Sequence, residues 1–281
     1  MAEKNQTKIK GFDHLFIVEI WGNVLKSARK ILTPQLLDFC TKWLTIFGHY
    51  SILVASALAL LIGIIGAIRL ERFTFFLMSL GFAVAILVVQ YIAHRFLKAG
   101  EILISNNPSS LSSGAFLDSV GLIALIAGIL AFLYNIYPAI KGPSIMYLII
   151  GIASFVLFEF VALVTLNPKT VNLNVVDKTS AGQEAIGIIT FLIKKLMRLI
   201  PILFGLGLVV GTIILLIHFF GLFGKNYSMA AIRFSFSQGQ GDYFQLIAIG
   251  LIPFISYIAF VILYLQVDII KAILSLLGKN K

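Results

Sequence analysis

The chain has 281 residues, of which 59% are hydrophobic and 12% charged, and its formal net charge is +10. A soluble globular domain has about twice this share of charged residues, so the composition excludes a water-soluble enzyme, a disordered chain and a coiled coil. We therefore predict an all-α integral membrane protein that crosses the bilayer several times.

The single cysteine, Cys40, excludes a disulfide within the chain and any site built from several cysteines. We interpret it as a small buried apolar residue. In a soluble protein, a strongly positive net charge indicates a nucleic-acid partner. Membrane proteins, however, are positively charged because Lys and Arg are enriched in their cytoplasmic loops. No nucleic-acid partner is therefore predicted.

Residues 1–42 form a predicted cytoplasmic segment that contains an amphipathic helix. Apolar residues recur at helical spacing over residues 12–32, and Glu19, Lys26 and Lys30 lie on the opposite face. This helix either lies on the inner leaflet or packs on the protein's own cytoplasmic surface. The start of the chain has no apolar core followed by a small-residue cleavage site, so we expect no cleaved signal peptide.

Thr33 and Pro34 predict the start of the next helix, with a hydroxyl N-cap and a proline at the first helical position. This helix runs past Trp43, an aromatic residue suited to the membrane interface, into the first span.

Six apolar stretches, each of about 18 residues or more, predict six membrane-spanning helices. The membrane domain covers residues 43–272, and the tail at 273–281 is cytoplasmic. The predicted spans are residues 43–68, 73–95, 118–140, 144–167, 199–223 and 243–268, with cytoplasmic linkers at 98–117 and 168–198.

The distribution of Lys and Arg predicts the orientation of these spans. With six spans, both termini and the second and fourth connections share one face, which holds 17 of the 22 Lys and Arg residues. We therefore expect both termini in the cytoplasm and the protein in a cell or inner membrane.

Both long linkers contain a piece that resembles a β-strand. Residues 102–105 look extended, and Val171, Leu173 and Val175 alternate with their neighbours at the period of a strand. We expect the two pieces to pair, although a two-stranded ribbon by itself is marginally stable.

Ser180 and Gln183 have the spacing of a capping box, which predicts a helix that leads into the fifth span. Lys194, Lys195 and Arg198 end its cytoplasmic part. These cations either anchor this side in the cytoplasm, which we favour, or contact anionic lipid headgroups.

The spans also suggest three helical-hairpin repeats of one orientation. Each odd-numbered span follows a hydroxyl residue with an acid four or five residues later, and each even-numbered span has a glycine near its start. These residues are Thr33, Ser113 and Ser180, and Gly81, Gly151 and Gly250. Asn-Pro follows both the second and the fourth span. Such short features also arise by coincidence, so both interpretations stay open.

Polar side chains inside spans are the strongest functional lead, because burying them in lipid is costly. Glu159 is the only acid well inside a span, and His49, Gln90 and His94 fall in the same half of the bilayer. They predict an intramembrane polar cluster near the inner leaflet for an ion, a proton or a lipid headgroup. In the alternative, Glu159 is neutral or paired with an interfacial cation, and the histidines bond to backbone.

His49 and His94 fall at similar heights on neighbouring helices, an arrangement that can hold a haem iron. A single pair so close to the interface is too little to predict haem. We expect no cofactor and no metal site.

Gly207 and Gly211 form a GxxxG pattern in the fifth span, which predicts a close helix-packing face within the chain or between copies. The outer loop from Lys225 to Asp242 alternates at Ile232, Phe234 and Phe236. This pattern predicts a docking strand or a loop folded over the bundle.

The chain contains no nucleotide-binding, zinc-protease or serine-hydrolase motif, and we find no His–Asp constellation at an interface. We therefore expect no enzymatic activity. The first functional hypothesis is a scaffold or accessory subunit of a larger membrane assembly, with the bilayer, other membrane subunits or a second copy as partners. The second is a permease or channel component, such as the membrane half of a transporter driven by a separate ATPase, which uses the cluster around Glu159.

Overall fold

The computed structural model describes residues 16–142, 145–223 and 229–278, without the side chains of residues 229–239 and 275–278. These residues form seven α-helices, two short strands and one 3₁₀ turn. The elements are α1 (Phe16–Ile31), α2 (Pro34–Arg69), α3 (Phe73–Asn106), β1 (Ser109–Leu111), α4 (Gly114–Lys141), α5 (Ile145–Leu166), the 3₁₀ turn (Pro168–Val171), β2 (Leu173–Val175), α6 (Ala181–Gly221) and α7 (Met229–Gly278).

Six of these helices, α2 to α7, are long and apolar enough to cross a membrane. The predicted all-α architecture and the number of spans are confirmed, and by helix length and composition the chain is a multi-pass membrane protein. α2, α3 and α6 have 36, 34 and 41 residues. At about 1.5 Å per residue they exceed a hydrocarbon core of about 30 Å, so part of each helix extends beyond it.

Consecutive long helices pack in pairs, α2 with α3, α4 with α5 and α6 with α7. The first and third pairs pack on each other, α2 against α6 and α3 against α7, and form a four-helix bundle. The α4–α5 pair joins this bundle mainly through α5 and α6. The buried residues of α5 lie almost entirely between Phe160 and Leu166, so this pair is attached at one end of the bundle.

That end also carries the two linkers, and we call it the sheet end. β1 pairs with β2 in parallel, with Ser109 opposite Leu173. The predicted pairing of the linkers is confirmed, but its position in the first linker is wrong, because residues 102–105 belong to α3. In so short an apolar piece the helical and strand patterns cannot be told apart.

The predicted hydroxyl caps are confirmed by hydrogen bonds at the sheet end. Thr33, Ser113 and Ser180 each accept a hydrogen bond from the backbone N–H three residues later. The Gln183 side chain accepts from the Ser180 N–H and completes the capping box.

Asn107 and Asn167, which follow α3 and α5, make the same kind of hydrogen bond. Each side-chain amide donates to the carbonyl four residues earlier, at 2.7 Å for Leu103 and 2.9 Å for Leu163. The two linkers therefore leave their helices in the same way. The threefold repeat itself stays a prediction.

α1 confirms a helix over residues 16–31, whereas residues 12–15 lie outside the described residues. Leu25 is its only buried side chain, and Phe16 is 75% exposed. The helix is held by an ion pair between Arg29 and Asp118. The N-terminal part of its apolar face is thus exposed, whereas Leu25 and Ala28 pack on the hydrophobic core.

α7 corrects the prediction for the outer loop. Residues 229–242, expected as a strand or a loop, form the first turns of this helix, and residues 224–228 lie outside the described residues. The alternation at Ile232, Phe234 and Phe236 covers too few residues to identify a strand.

Candidate functional site

The structure brings three of the four predicted polar residues together between α2 and α3. The rings of His49 and His94 meet edge to face, with centroids 5.6 Å apart. Gln90 donates its side-chain amide to the backbone oxygen of His49 at 3.2 Å. Phe204 of α6 also contacts His49, with ring centroids 5.0 Å apart.

The two histidines differ in their surroundings. His94 is exposed on the bundle surface. His49 Nε2 is buried and has no hydrogen-bond partner among the described residues. An imidazole nitrogen can donate or accept a hydrogen bond, so this atom is an unused polar group just behind the surface histidine.

Glu159 lies in another part of the protein, between α5 and α4. A Cβ placed on Gly128 would lie 3.4 Å from Glu159 Oε1, so the carboxyl group packs over this glycine of α4. Among the described residues no hydrogen bond or ion pair joins Glu159 to His49, Gln90 or His94. Of the four residues predicted to form a cluster, His49, Gln90 and His94 thus lie together, and Glu159 lies apart from them in the part of the chain that the structure describes.

The histidine pair can also be compared with the haem alternative. A bis-histidine haem places its porphyrin between the two rings. Here the rings of His49 and His94 touch each other, so a porphyrin would have to separate them. The geometry therefore does not fit a haem between these residues. Within the described ranges no group of three or more His, Cys, Asp or Glu residues could hold a metal ion.

The cations in the first half of α6 have protein partners. Lys194 is fully buried, and its Nζ donates to Ser109 Oγ at 2.8 Å and to the Asn172 backbone oxygen at 3.1 Å. Lys195 is also buried and lies over the Phe191 ring, 5.4 Å from its centroid. Both lysines thus have contacts within the protein.

Arg198 forms an ion pair with Asp38 of α2, and its Nη1 lies 3.9 Å from Glu101 Oε1 of α3. The guanidinium therefore ties three helices together at the sheet end. It lines an open cleft of about 530 Å³ with Asp38 and Lys42.

Glu184 is a structural residue whose partners the sequence did not reveal. Its Oε2 accepts hydrogen bonds from the Ser112 N–H, the Ser112 hydroxyl and the Thr179 hydroxyl, at 2.7 to 2.8 Å. Its Oε1 accepts from the Ser113 N–H at 2.8 Å. One carboxylate therefore joins the start of α6 to the start of α4.

Gly207 and Gly211 face α7. A Cβ on either glycine would lie 2.8 Å from a methyl group, of Ile249 and Leu246 respectively. This GxxxG surface is thus occupied within the chain.

His218 and Asp242 form a pair at the opposite end of the bundle, a contact that the sequence analysis did not predict. Their Nδ1 and Oδ2 atoms are 2.6 Å apart, and the Asp242 side chain is 12% exposed. His218 lies in the last turn of α6, whereas Asp242 lies inside α7, in the stretch that the sequence analysis assigned to the outer loop. Such a pair can orient an imidazole as a base, but no described hydroxyl or thiol is hydrogen-bonded to His218.

No protein-family model, no curated protein and no solved structure matches this chain.

Proposed function

We propose that this chain is a non-catalytic membrane protein that acts as a scaffold or accessory subunit of a larger membrane assembly. The closely packed apolar interior of the four-helix bundle is the observation that carries the proposal. The fully buried side chains include Ile52, Ala55, Ile86, Ile202 and Leu208, so apolar contacts fill the space between the helices.

Close helix contacts accompany this apolar packing. A Cβ on Gly205 would lie 2.3 Å from the Leu44 backbone oxygen, and a Cβ on Gly250 would lie 2.2 Å from Val89 Cγ1. A permease that alternates between two states has to separate such contacts. A rigid scaffold keeps them.

α1 supports the same proposal, because it presents apolar side chains away from the body. Ile17, Ile20 and Val24 are 65%, 41% and 38% exposed. A helix with this exposed face suits the membrane surface or the groove of a partner subunit. We propose that α1 and the sheet end lie on the cytoplasmic side, as the excess of Lys and Arg indicates.

The experiment compares complexes purified in mild detergent, with masses from light scattering and components from mass spectrometry. Wild type should elute with stoichiometric partners. Ile20→Ser with Val24→Ser should release them, because these substitutions remove apolar area from the exposed face of α1. Asn23→Ala with Lys26→Ala, on the polar face of the same helix, is the matched control and should leave the complex intact.

A permease or channel component is the second candidate, favoured by the buried, unpartnered Nε2 of His49 behind the surface residue His94. For a permease we expect Glu159→Gln to abolish function while the protein still accumulates. For a scaffold we expect this substitution to change neither the complex nor its activity. A chain that elutes alone in mild detergent would contradict the scaffold proposal, and a co-purifying ATPase would favour the permease.

A further inference from the structure

An open groove lies on the outer surface of the bundle between α3 and α7, close to the sheet end. Its volume is about 610 Å³. Its lining includes Tyr91, His94, Arg95, Lys98, Ile102 and Tyr257. It thus combines cations, phenols and apolar side chains at one place.

The cations of this groove are available for a ligand. Arg95 and Lys98 are exposed, and neither makes an ion pair or hydrogen bond with any residue that the structure describes. No carboxylate lines the groove. The adjacent acid, Glu101, is directed to Arg198 instead, at 3.9 Å. The groove is therefore an uncompensated positive site.

The position of the groove along α3 matches the headgroup level of a bilayer. Residues 73–94 contain no Lys, Arg, Asp or Glu, and these 22 residues span about 33 Å at about 1.5 Å per residue. A hydrocarbon core is about 30 Å thick. With Phe73 at one boundary, Arg95 lies at the other, and Tyr91 lies where interfacial aromatic residues are found.

An apolar track continues from the groove toward the middle of the membrane. Val84 and Val88 are 54% and 53% exposed, and Tyr91 is 67% exposed. Their spacing of three or four residues places them on the same face of α3 as Arg95 and Lys98. A ligand with an anionic head and a long hydrocarbon tail matches this order of side chains.

We propose that this groove binds the phosphate of an anionic phospholipid. The phosphodiester lies between the Arg95 guanidinium and the Lys98 ammonium, and an acyl chain lies along Val84 and Val88. A zwitterionic lipid fits less well, because its ammonium group would lie beside two cations with no carboxylate to pair with. These two cations lie on α3, apart from Lys194 and Lys195 of α6, which are buried.

The test is native mass spectrometry of the full-length protein released from detergent, titrated with phosphatidylglycerol or phosphatidylcholine. One phosphatidylglycerol should stay bound selectively. Arg95→Gln with Lys98→Gln should weaken its retention about thirtyfold, given the usual contribution of a cation near an anionic surface. The matched control, Lys42→Gln with Lys169→Gln, neutralises two exposed cations at the same end outside the groove and should retain the lipid as wild type does.

A second variant leaves Arg95 and Lys98 in place and changes only the charge of the groove wall. Ile102→Glu adds a carboxylate to the groove wall and should weaken phosphatidylglycerol retention while leaving the melting temperature unchanged. Equal retention of phosphatidylcholine, or loss of lipid in the matched control alone, would overturn the proposal. Displacement of the lipid by millimolar inorganic phosphate would also overturn it, since it would show a site for free phosphate rather than for a lipid.

Discussion

Two charged residues of α6 connect this helix to both linkers through short hydrogen bonds. The carboxylate of Glu184 accepts from Ser112, Ser113 and Thr179, and the ammonium of Lys194 donates to Ser109 and Asn172. Charged groups make stronger hydrogen bonds than neutral groups do. Neither contact is an ion pair, so each charge is compensated by hydroxyl and backbone dipoles alone.

Glu184→Gln is predicted to lower the free energy of unfolding by about 2 kcal/mol. All four partners of the carboxylate act as donors, so a glutamine amide must turn its own donors toward at least one of them. The measurement is an SDS titration in mixed micelles, followed by tryptophan fluorescence. Glu101→Gln is the control, since Glu101 is exposed and only 3.9 Å from Arg198, and it should change the value by less than about 0.5 kcal/mol. An equal decrease in the free energy of unfolding of both variants would contradict the role of Glu184 in joining α6 to the first linker.

Residue roles were predictable where their partners are close in sequence. Ser180 and Gln183 bond to each other across three residues, so their spacing was enough to identify the capping box. The partners of Glu184 in the first linker lie about 70 residues away. Nothing in the local pattern distinguishes this acid from one that merely interacts with the helix dipole.

At the scale of elements, glycines control how closely the helices approach, but the closest approach to the backbone of another helix is at a glycine outside the predicted motif. Gly205 lies against the backbone of Leu44, which cannot rotate away. Gly207 lies against the side chain of Ile249, which can change rotamer. Gly81 has open space around it. The GxxxG pattern identified the face of α6 that packs on α7 but did not include Gly205, because a sequence does not show what each glycine touches.

These surroundings predict a graded series of alanine variants. Gly205→Ala should destabilise most, by about 3 kcal/mol, because the added methyl group forces α2 and α6 apart. Gly207→Ala should lower the free energy of unfolding by about 1 kcal/mol, and Gly81→Ala should not change it measurably. The same SDS titration measures all three proteins, and a larger loss at Gly207 than at Gly205 would contradict the α2–α6 contact.

Element types and their boundaries were predictable to different degrees. The six spans are long apolar stretches, so hydropathy identified their number. The short pieces were harder, since residues 102–105 were expected as a strand and continue α3 instead. The strand that does form, β1, begins directly after Pro108, which cannot continue the α3 ladder.

The whole molecule combines a four-helix bundle with one helical pair attached near the sheet end. The parallel pairing of β1 and β2 requires both linkers to lie at this one end, as a six-span topology also requires. The sequence predicts neither which helical pair lies outside the four-helix bundle nor that Glu159 is separated from the histidine pair. Both depend on which hairpins contact each other.

The orientation of the whole molecule gives the last prediction, tested by cysteine labelling in intact cells. In a Cys40→Ser background, Asn106→Cys and Lys178→Cys probe the two linkers at the sheet end, and Arg72→Cys and Lys141→Cys probe the opposite end. A membrane-impermeant maleimide should label the second pair in intact cells and the first pair only after permeabilisation, because 17 of the 22 Lys and Arg residues lie on the face predicted to be cytoplasmic. The reverse pattern would invert the proposed orientation. Different results within one pair would contradict the fold itself, since the sheet holds both linkers at a single end of the bundle.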